Sequence, residues 1–574
     1  MSESVVAESG ATDARRAGST RPYARLRGPL GTAILLFGVS AFIRLALATQ
    51  LAFPPLGDAA YYIGVAQSLY HGRGFTIGNV WNYQPAPPAV AGPSNSYWGP
   101  LTSIVEWPSL LLFGDHLLAA LLPDILAGAL LVALTYWWGR RAFTLWLTTS
   151  ANDVAHAARA AHWLALGAAI LMAVNAEFVY QSVSGDSTML YGVLGFSAIV
   201  IWERTLSGGT ADGRASQRSR RWSWQGATPG AWITGVLLGC AYLTRGSAIF
   251  LLAGVGGWWC WQMAHRARRT ATIPAGYLVG AAAAALLGAG LVVAPWLVRQ
   301  QLAFGHLFTS EAMQNALAFS LEDFSAYGAP PTLTAYLGHG AGALLALRIS
   351  AFTDILRHVS DYAFYPTALP ALVGLVLLAR RVGAAALGLL NVLLLVVGFT
   401  LLFPAVSLFG GYYHSLASVA PFLAWGELTL IYVAARWARQ QLPLHVSLAP
   451  ALLAIAVLLQ VALLAFAVPA VAATARNDQR TFADATRWLR AHHAQVVMAT
   501  ESTSLYYASG IPTIELPAAQ SPDVAYACAR RYGAEYLVIL RPAGQYPRIL
   551  DERHDPRFVL VAQTAEYQVF RIVA

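Results

Sequence analysis

The feature that most constrains this chain is the recurrence of apolar runs about as long as a bilayer is thick. A helix crossing the roughly 30 Å hydrocarbon layer needs about 20 mostly apolar residues. Residues 30–51 supply one such run. Others fall near 116–139, 162–179, 188–204, 231–244, 247–263, 275–297, 367–379, 384–403, 416–435 and 447–471. The chain therefore reads as a polytopic α-helical membrane protein with about 11 transmembrane helices. The two runs flanking Arg245 are short, which suits tilted or partly re-entrant segments. Ionic content agrees: 11% of the 574 residues are charged, against about 25% in soluble domains. A water-facing surface cannot be built from so few ions.

Net charge is +9, and every cation is arginine, as a GC-rich genome would give. The arginines sit mostly in short loops between apolar runs, which speaks for membrane topology rather than for nucleic acid. With the N-terminus inside, the inner segments hold Arg140, Arg141, Arg159, Arg204, Arg214, Arg218, Arg220, Arg221, Arg266, Arg268, Arg269, Arg380, Arg381, Arg436 and Arg439. Arg15, Arg16, Arg21, Arg25 and Arg27 of the tail at 1–29 bring the count to 20. The outer loops before residue 473 hold four, namely Arg73, Arg299, Arg348 and Arg357. No small-residue cleavage site follows the first run, and Arg44 interrupts it, so it reads as a retained helix. An odd number of spans places the C-terminus outside. Cys240, Cys260 and Cys528 have neither disulfide nor metal spacing.

The transmembrane region at 30–472 contains two long outer loops, 52–115 and 298–366, both rich in Tyr, Trp and Phe. Loops of such length are usually functional or disordered, and these suit amphipathic helices packed at the interface. Residues 473–574 change character. Short β-rich runs (VVMAT, EYLVIL, FVLVA, YQVFRIV) follow the helical pattern of TFADATRWLRAHHA, which predicts an outer α/β domain.

The chemistry-bearing residues gather on the outer side. Asp58 follows the first span almost at once and precedes Tyr61, Tyr62, Val65, Leu69 and Tyr70 at helical spacing. It serves either as a helix cap or as a membrane-surface carboxylate with a task. Asp186, in NAEFVYQSVSGDSTM with Glu177 nearby, presents the same choice. Arg245 and Arg299 fall at outer ends of spans, where Arg can grip phosphate with two parallel hydrogen bonds or snorkel to headgroups. His306 and His414 face the same side as candidate substrate contacts. His156 and His162 lie six apart on the inner side, away from metal spacing, and no Walker or dinucleotide fingerprint occurs.

The order of several stretches resembles the GT-C glycosyltransferases, in the group of protein O-mannosyltransferases and lipid A aminoarabinose transferases. An acidic residue after the first span is followed by an aromatic helix and the step YWGPLTSIV, which contains Trp98. FGDHLLAALLPDILAGALLVALTYWWGRRAF, VSGDSTMLYGVLGFSAIVIWER, GCAYLTRGSAIFLL and APWLVRQQLAFGHLF continue the likeness, over roughly residues 30–310. The resemblance implies a GT-C-like fold in a bacterial inner (plasma) membrane. It also implies sugar transfer from a polyprenyl-phosphate donor to an envelope acceptor on the outer face. The family's first-loop acid maps to Asp58 and its second acidic position to Asp186. Relatives often have a second acid directly after the first, whereas this chain has Ala59. No cofactor is required on this reading, and a divalent cation (Mg or Mn) at Asp58 and Asp186 is the alternative. Tyr61, Tyr62 and Trp98 join the expected substrate contacts, and membrane lipids the expected partners.

Competing readings are a flippase or transporter of lipid-linked sugar, an O-antigen-type polymerase or ligase, and a non-enzymatic scaffold. A transporter would tend to show paired broken helices and needs no outer domain. Polymerase and ligase loops usually fall late in the chain. A scaffold has no reason to gather acids and arginines at one face. The topology is testable: reporter fusions at residue 215 and at the C-terminus are expected on opposite sides of the membrane, and finding both on one side would overturn it.

Overall fold

The computed structural model describes residues 28–573 apart from 85–86, 149–152, 208–223, 269–274, 309–310, 329–330, 363–367, 442–447, 518–520 and 541–554. The Arg-rich tail and the inner arginines at 214–221 lie outside the described residues. In chain order the main helices are α1 (Pro29–Ala48), α2 (Gly57–Tyr70), α3 (Leu101–Phe113), α4 (Leu117–Thr148), α5 (Val154–Val174), α6 (Ala176–Gln181), α7 (Thr188–Leu206), α8 (Trp224–Thr244) and α9 (Ala248–Arg268). They continue as α10 (Ala275–Phe304), α11 (Gly340–Tyr362), α12 (Leu369–Ala379), α13 (Gly383–Leu401), α14 (Gly411–Ser415), α15 (Ala420–Gln441), α16 (Leu448–Ala491), α17 (Ser502–Ser509) and α18 (Pro522–Tyr532).

Every expected span coincides with a helix, but fewer can cross a membrane alone. Among the described residues seven helices are long and apolar enough: α1, α4, α5, α7, α10, α13 and α16. The segment Gly411–Ser418 with α15, bent by 67°, gives an eighth. By length and composition among the described residues, that is fewer than the about 11 expected, the remaining apolar runs forming shorter or more polar helices. The 11-residue α12 rises only roughly 17 Å, the apolar part of α8 is the short Pro229–Thr244, and α9 carries Trp258, Trp259, Trp261, Gln262 and His265. Large apolar side chains point outward along the spans, as lipid contact requires: Phe42 on α1, Leu286 on α10, Leu458 and Phe466 on α16 are all exposed.

Helices pack closely where glycine allows it. A Cβ at Gly374 of α12 would fall 1.8 Å from the Gly426 carbonyl oxygen of α15, and one at Gly426 would fall 2.0 Å from that of Ala371. Such small-residue crossings let backbones meet where lipid offers no hydrophobic drive to association. Arg44, which breaks the first apolar run, is fully buried. Its guanidinium donates to Ser182 Oγ at 2.9 Å, Ser40 Oγ at 2.6 Å and the Ala173 carbonyl at 3.3 Å. It therefore ties α1 to the end of α5 and to the residue after α6. Gly128 leaves room for it, since a Cβ there would lie 2.9 Å from Arg44 Nε.

The C-terminal α/β unit is built on strands β2 (Asn79–Val80), β4 (Val497–Ala499), β5 (Thr513–Glu515), β6 (Tyr536–Leu540), β7 (Phe558–Gln563) and β8 (Tyr567–Ile572). A separate pair joins β1 (Thr76–Ile77) to β3 (Gly92–Pro93). The main sheet has the order β2-β5-β4-β6-β8-β7, parallel from β2 to β6 and antiparallel beyond. All four expected β-rich runs are strands. Alternation sends Met498, Ile514 and Leu537 to one face under α18, and Val497, Ala499 and Val538 to the other under α17 and the end of α16. Two details depart from the sequence reading. The boundary expected at residue 473 falls inside α16, whose 44 residues extend roughly 66 Å, from the helical bundle into this unit. The first outer loop contributes β2 to the sheet. A boundary set by composition cannot show either, because a helix continues wherever backbone bonding continues.

The Gly374–Gly426 crossing gives a stability prediction. Gly426→Val is expected to destabilise the protein by about 1–3 kcal/mol or more, read as a lower melting temperature in detergent. An unchanged melt would mean that α12 and α15 do not pack this way.

Candidate active site

Asp58 is the second residue of α2. The helix begins at Gly57, its cap residue is Leu56, and no side chain caps it. The capping reading of Asp58 is therefore wrong, although an acid in the first turn still meets the helix dipole favourably. The helix is not a half-exposed interfacial one either. Tyr61, Tyr62, Ile63, Val65 and Ala66 are all buried, because α3 covers one side and α17 another. Asp58 itself is half-buried and lines a cavity of about 450 Å³.

Asp186 sits in the turn between α6 and α7, following Gly185 at φ +73°, a left-handed conformation that favours glycine. It is fully buried and heavily bonded. Its Oδ2 lies 3.2 Å from an Arg245 nitrogen, 2.9 Å from His414 Nδ1 and 2.7 Å from Thr188 Oγ1. Its Oδ1 accepts from Ser187 Oγ at 3.1 Å, and Arg245 also donates to Ser187 Oγ. Asp186 does not cap α7, whose cap residue is Ser187, without a side-chain bond. It instead fixes Arg245, from the turn between α8 and α9, and His414, from α14. Burial alone would raise its carboxyl, but His414, Arg245 and the Thr188 hydroxyl outweigh that and hold it well below the usual range.

Arg245 and His414 line the same cavity as Asp58. Asp58 is pushed up to about 6, chiefly by loss of water and then by the Asp186 charge, against the opposing pull of His414 and Arg245. The cavity thus brings an acid to the same wall as a guanidinium and an imidazole. Elsewhere its wall is aromatic and aliphatic, with Trp81, Trp98, Phe250, Phe399, Phe403 and Phe409.

The expected residues divide into two groups. Asp58, Tyr62, Trp98, Arg245 and His414 line the cavity, with Asp186 directly behind. Tyr61 does not line it: its hydroxyl accepts from the Asn95 backbone N–H at 2.7 Å and its ring packs against Trp98. Arg299 is likewise outside. Its guanidinium donates to the Phe75 carbonyl at 3.1 Å and lies over Trp296 at 4.8 Å and Phe304 at 5.2 Å. His306 is half-buried, with Nδ1 at 2.6 Å from the Phe308 carbonyl, and does not line the cavity. Its neighbour Phe308 reaches the cavity instead. Trp81, Tyr97 and Asn315 escaped the sequence reading, and their only signal was the aromatic density of the outer loops. Tyr97 donates to Asn315 Oδ1 at 2.6 Å, joining those loops at the cavity wall.

Among the described residues no three His, Cys, Asp or Glu gather as a metal site. The chemistry of the pair expected to hold one also fits poorly, because Arg245, His414 and two hydroxyls already engage both Asp186 oxygens. A cation there would have to displace a guanidinium.

No protein-family model and no curated protein matches the sequence. Solved structures do. ArnT from Cupriavidus metallidurans bound to undecaprenyl phosphate is similar over 95% of this chain and 98% of its own, with TM-score 0.51 and 14% identity. The archaeal oligosaccharyltransferase AglB from Archaeoglobus fulgidus, in complex with an inhibitory peptide and a dolichol-phosphate, is similar over 89% of this chain and 69% of its own. Its TM-score is 0.52 and its identity 12%. The likeness establishes the GT-C fold that the sequence motifs implied.

The Asp186 network yields a prediction that does not depend on activity. Asp186→Asn leaves Arg245 and His414 facing a neutral amide. Removing one partner of a buried ion pair costs about 3–5 kcal/mol, so a clear loss of thermal stability is expected. A variant melting like the parent would show that Asp186 is not the anchor of these two side chains.

Proposed function

We propose that the protein is a GT-C glycosyltransferase of a bacterial inner membrane. It moves a sugar from a polyprenyl-phosphate donor to an envelope acceptor (a glycan, lipid or protein) on the outer face. One observation carries the reading: an acid, a guanidinium and an imidazole line one cavity whose remaining wall is mostly aromatic and aliphatic. Its volume lies within the range of small-molecule sites. An anionic head with an isoprenoid tail matches that division. The lipid phosphates bound by the two similar structures support the same donor class.

In the mechanism this arrangement favours, the donor phosphate lies against Arg245 and His414, with the lipid running along the phenylalanine-lined wall. The acceptor hydroxyl attacks the anomeric carbon as Asp58 takes its proton, a general-base step. The carbon–oxygen bond to phosphate breaks, and the phosphate leaves with the electron pair and the developing charge. Arg245 and His414 meet that charge in a site with little water, where electrostatic stabilisation is strongest. Asp186 holds both and does not itself reach the substrate. Direct displacement inverts the anomeric centre and needs no second carboxylate as nucleophile. No step is routed through a metal ion. A transporter reading has less support, since carrying a sugar across a membrane needs no base beside an anion clamp.

Asp58→Asn keeps the side chain's size and removes the base. Transfer from a labelled polyprenyl-phosphate sugar is expected to fall by about 10²–10⁴-fold, with donor binding retained and chelator having no effect on the parent enzyme. The base must be ionised, so activity should rise with pH through about 6, the region to which the Asp58 carboxyl is raised. Near-normal transfer by Asp58→Asn sinks the assignment, and abolition by chelator would install a metal in place of the base.

A further inference from the structure

Part of the cavity wall is built by two long loops that grip one another. In the first, the stretch from Ser94 to Gly99 is pinned by a buried network. Asn95 takes a left-handed backbone at φ +62°, a strained state for a residue other than glycine that persists only where the surroundings impose it. Its N–H donates to the Tyr61 hydroxyl at 2.7 Å, and its carbonyl accepts from Gln300 Nε2 at 2.7 Å. Its amide nitrogen donates to the carbonyls of Trp98 at 3.2 Å and Gly99 at 3.3 Å. Gly99 lies against the residues just before Arg245: a Cβ there would fall 2.2 Å from the Leu243 carbonyl oxygen and 2.8 Å from that of Thr244. Trp98 is thereby set beside the end of α8, which delivers the guanidinium.

The second loop supplies Gln314 and Asn315, consecutive residues of the short helix Glu311–Leu317. Asn82 donates to Gln314 Oε1 at 2.9 Å, and Tyr97 donates to Asn315 Oδ1 at 2.6 Å. Asn315 is buried and lines the cavity together with Trp81, Tyr97 and Trp98. The three rings pack as a unit: Trp81 stacks on Trp98 with centroids 4.1 Å apart, and Tyr97 meets Trp81 at right angles at 4.9 Å. Because Tyr97 takes the amide oxygen, what Asn315 presents to a ligand is its NH₂ group, a hydrogen-bond donor.

We propose that this part of the cavity is the subsite for the transferred sugar ring, with Asn315 as the residue that determines specificity. Its amide N–H donates to a hydroxyl of the sugar, and Tyr97 is the positioning residue that holds the amide in that orientation. This rests on the transferase reading and names the residues that choose its sugar.

A sugar suits this wall better than more of the lipid. An isoprenoid chain laid against Asn315 would leave a buried donor unpaired. A sugar brings hydroxyls to the amide, and its C–H bonds, slightly positive at hydrogen, suit the electron-rich faces of aromatic rings. Position agrees as well. The donor sugar is bonded to the phosphate, so it lies directly beside Arg245 and His414, and Trp98 is held at the helix end that carries Arg245. A buried group that must pair with a hydroxyl also discriminates, since an analogue lacking that hydroxyl leaves it unsatisfied.

The test is equilibrium binding to the full-length protein in detergent. The probes are bare polyprenyl phosphate, a panel of polyprenyl phosphates carrying hexoses and pentoses, and monodeoxy forms of the tightest binder. In the parent, one deoxy position is expected to weaken binding about tenfold. Asn315→Ala should lose about the same factor on the intact donor and no longer distinguish that deoxy form. It should bind bare polyprenyl phosphate as the parent does, which also shows that the variant is folded. Tyr97→Phe keeps the ring, frees the amide and should give a smaller loss in the same direction. A parent that binds every sugar-bearing probe alike overturns the proposal. So does an Asn315→Ala variant that weakens bare and sugar-bearing carriers equally, or one that binds every donor like the parent. The transferase reading is judged separately: it fails if Asp58→Asn transfers normally, whatever the binding series gives.

Discussion

A buried carboxylate in a membrane protein has to find positive partners, and most of the site follows from how Asp186 does so. An isolated charge in that position would cost many kilocalories per mole. Asp186 is supplied with Arg245 from one interhelical turn and His414 from another, with Thr188 and Ser187 completing its hydrogen bonds. Satisfying Asp186 therefore brings α7, the α8–α9 turn and α14 together at one level of the membrane. Arg245 and His414 are then fixed where both also line the cavity. The rigidity comes from the acid behind them.

The helix carrying Asp58 is organised by the C-terminal α/β unit. The helix α2 would be marginal alone, being short and flanked by loops. It is held because α3 and α17 pack on it and because β2, a few residues later in the chain, is a strand of the outer sheet. The long α16 joins this outer sheet to the bundle without a break. The α/β unit thus backs α2 without itself lining the cavity, and the position of Asp58 depends on residues more than 400 positions away in the chain, such as Ser502 bonded to Asn79. A module on a flexible linker could not set an acid's surroundings in this way.

Some of the candidate site was legible in residue chemistry. Asp58, Asp186, Arg245 and His414 stand out as ionic or titratable groups at the outer ends of apolar runs. Such groups rarely persist there without partners. Arg299 and His306 carry the same signal and lie elsewhere. Arg299 is satisfied by Trp296, Phe304 and the Phe75 carbonyl, which no local pattern announces because Phe75 is more than 200 residues distant. The aromatic wall was unreadable for a related reason: Trp81 and Tyr97 are two among many aromatics in the outer loops, and only packing selects which of them face the cavity.

The sequence by itself determined the apolar helices and the C-terminal strands. Those properties follow from hydrophobic length and from side-chain alternation, both of which act over a few turns of chain. Tertiary structure decided which apolar helices are long enough to cross, that α16 runs unbroken into the outer sheet, and that Asp58, Arg245 and His414 share one cavity while Arg299 does not. These depend on contacts between distant segments, where glycine at a crossing or a partner for a buried charge selects one arrangement among many that local pattern allows.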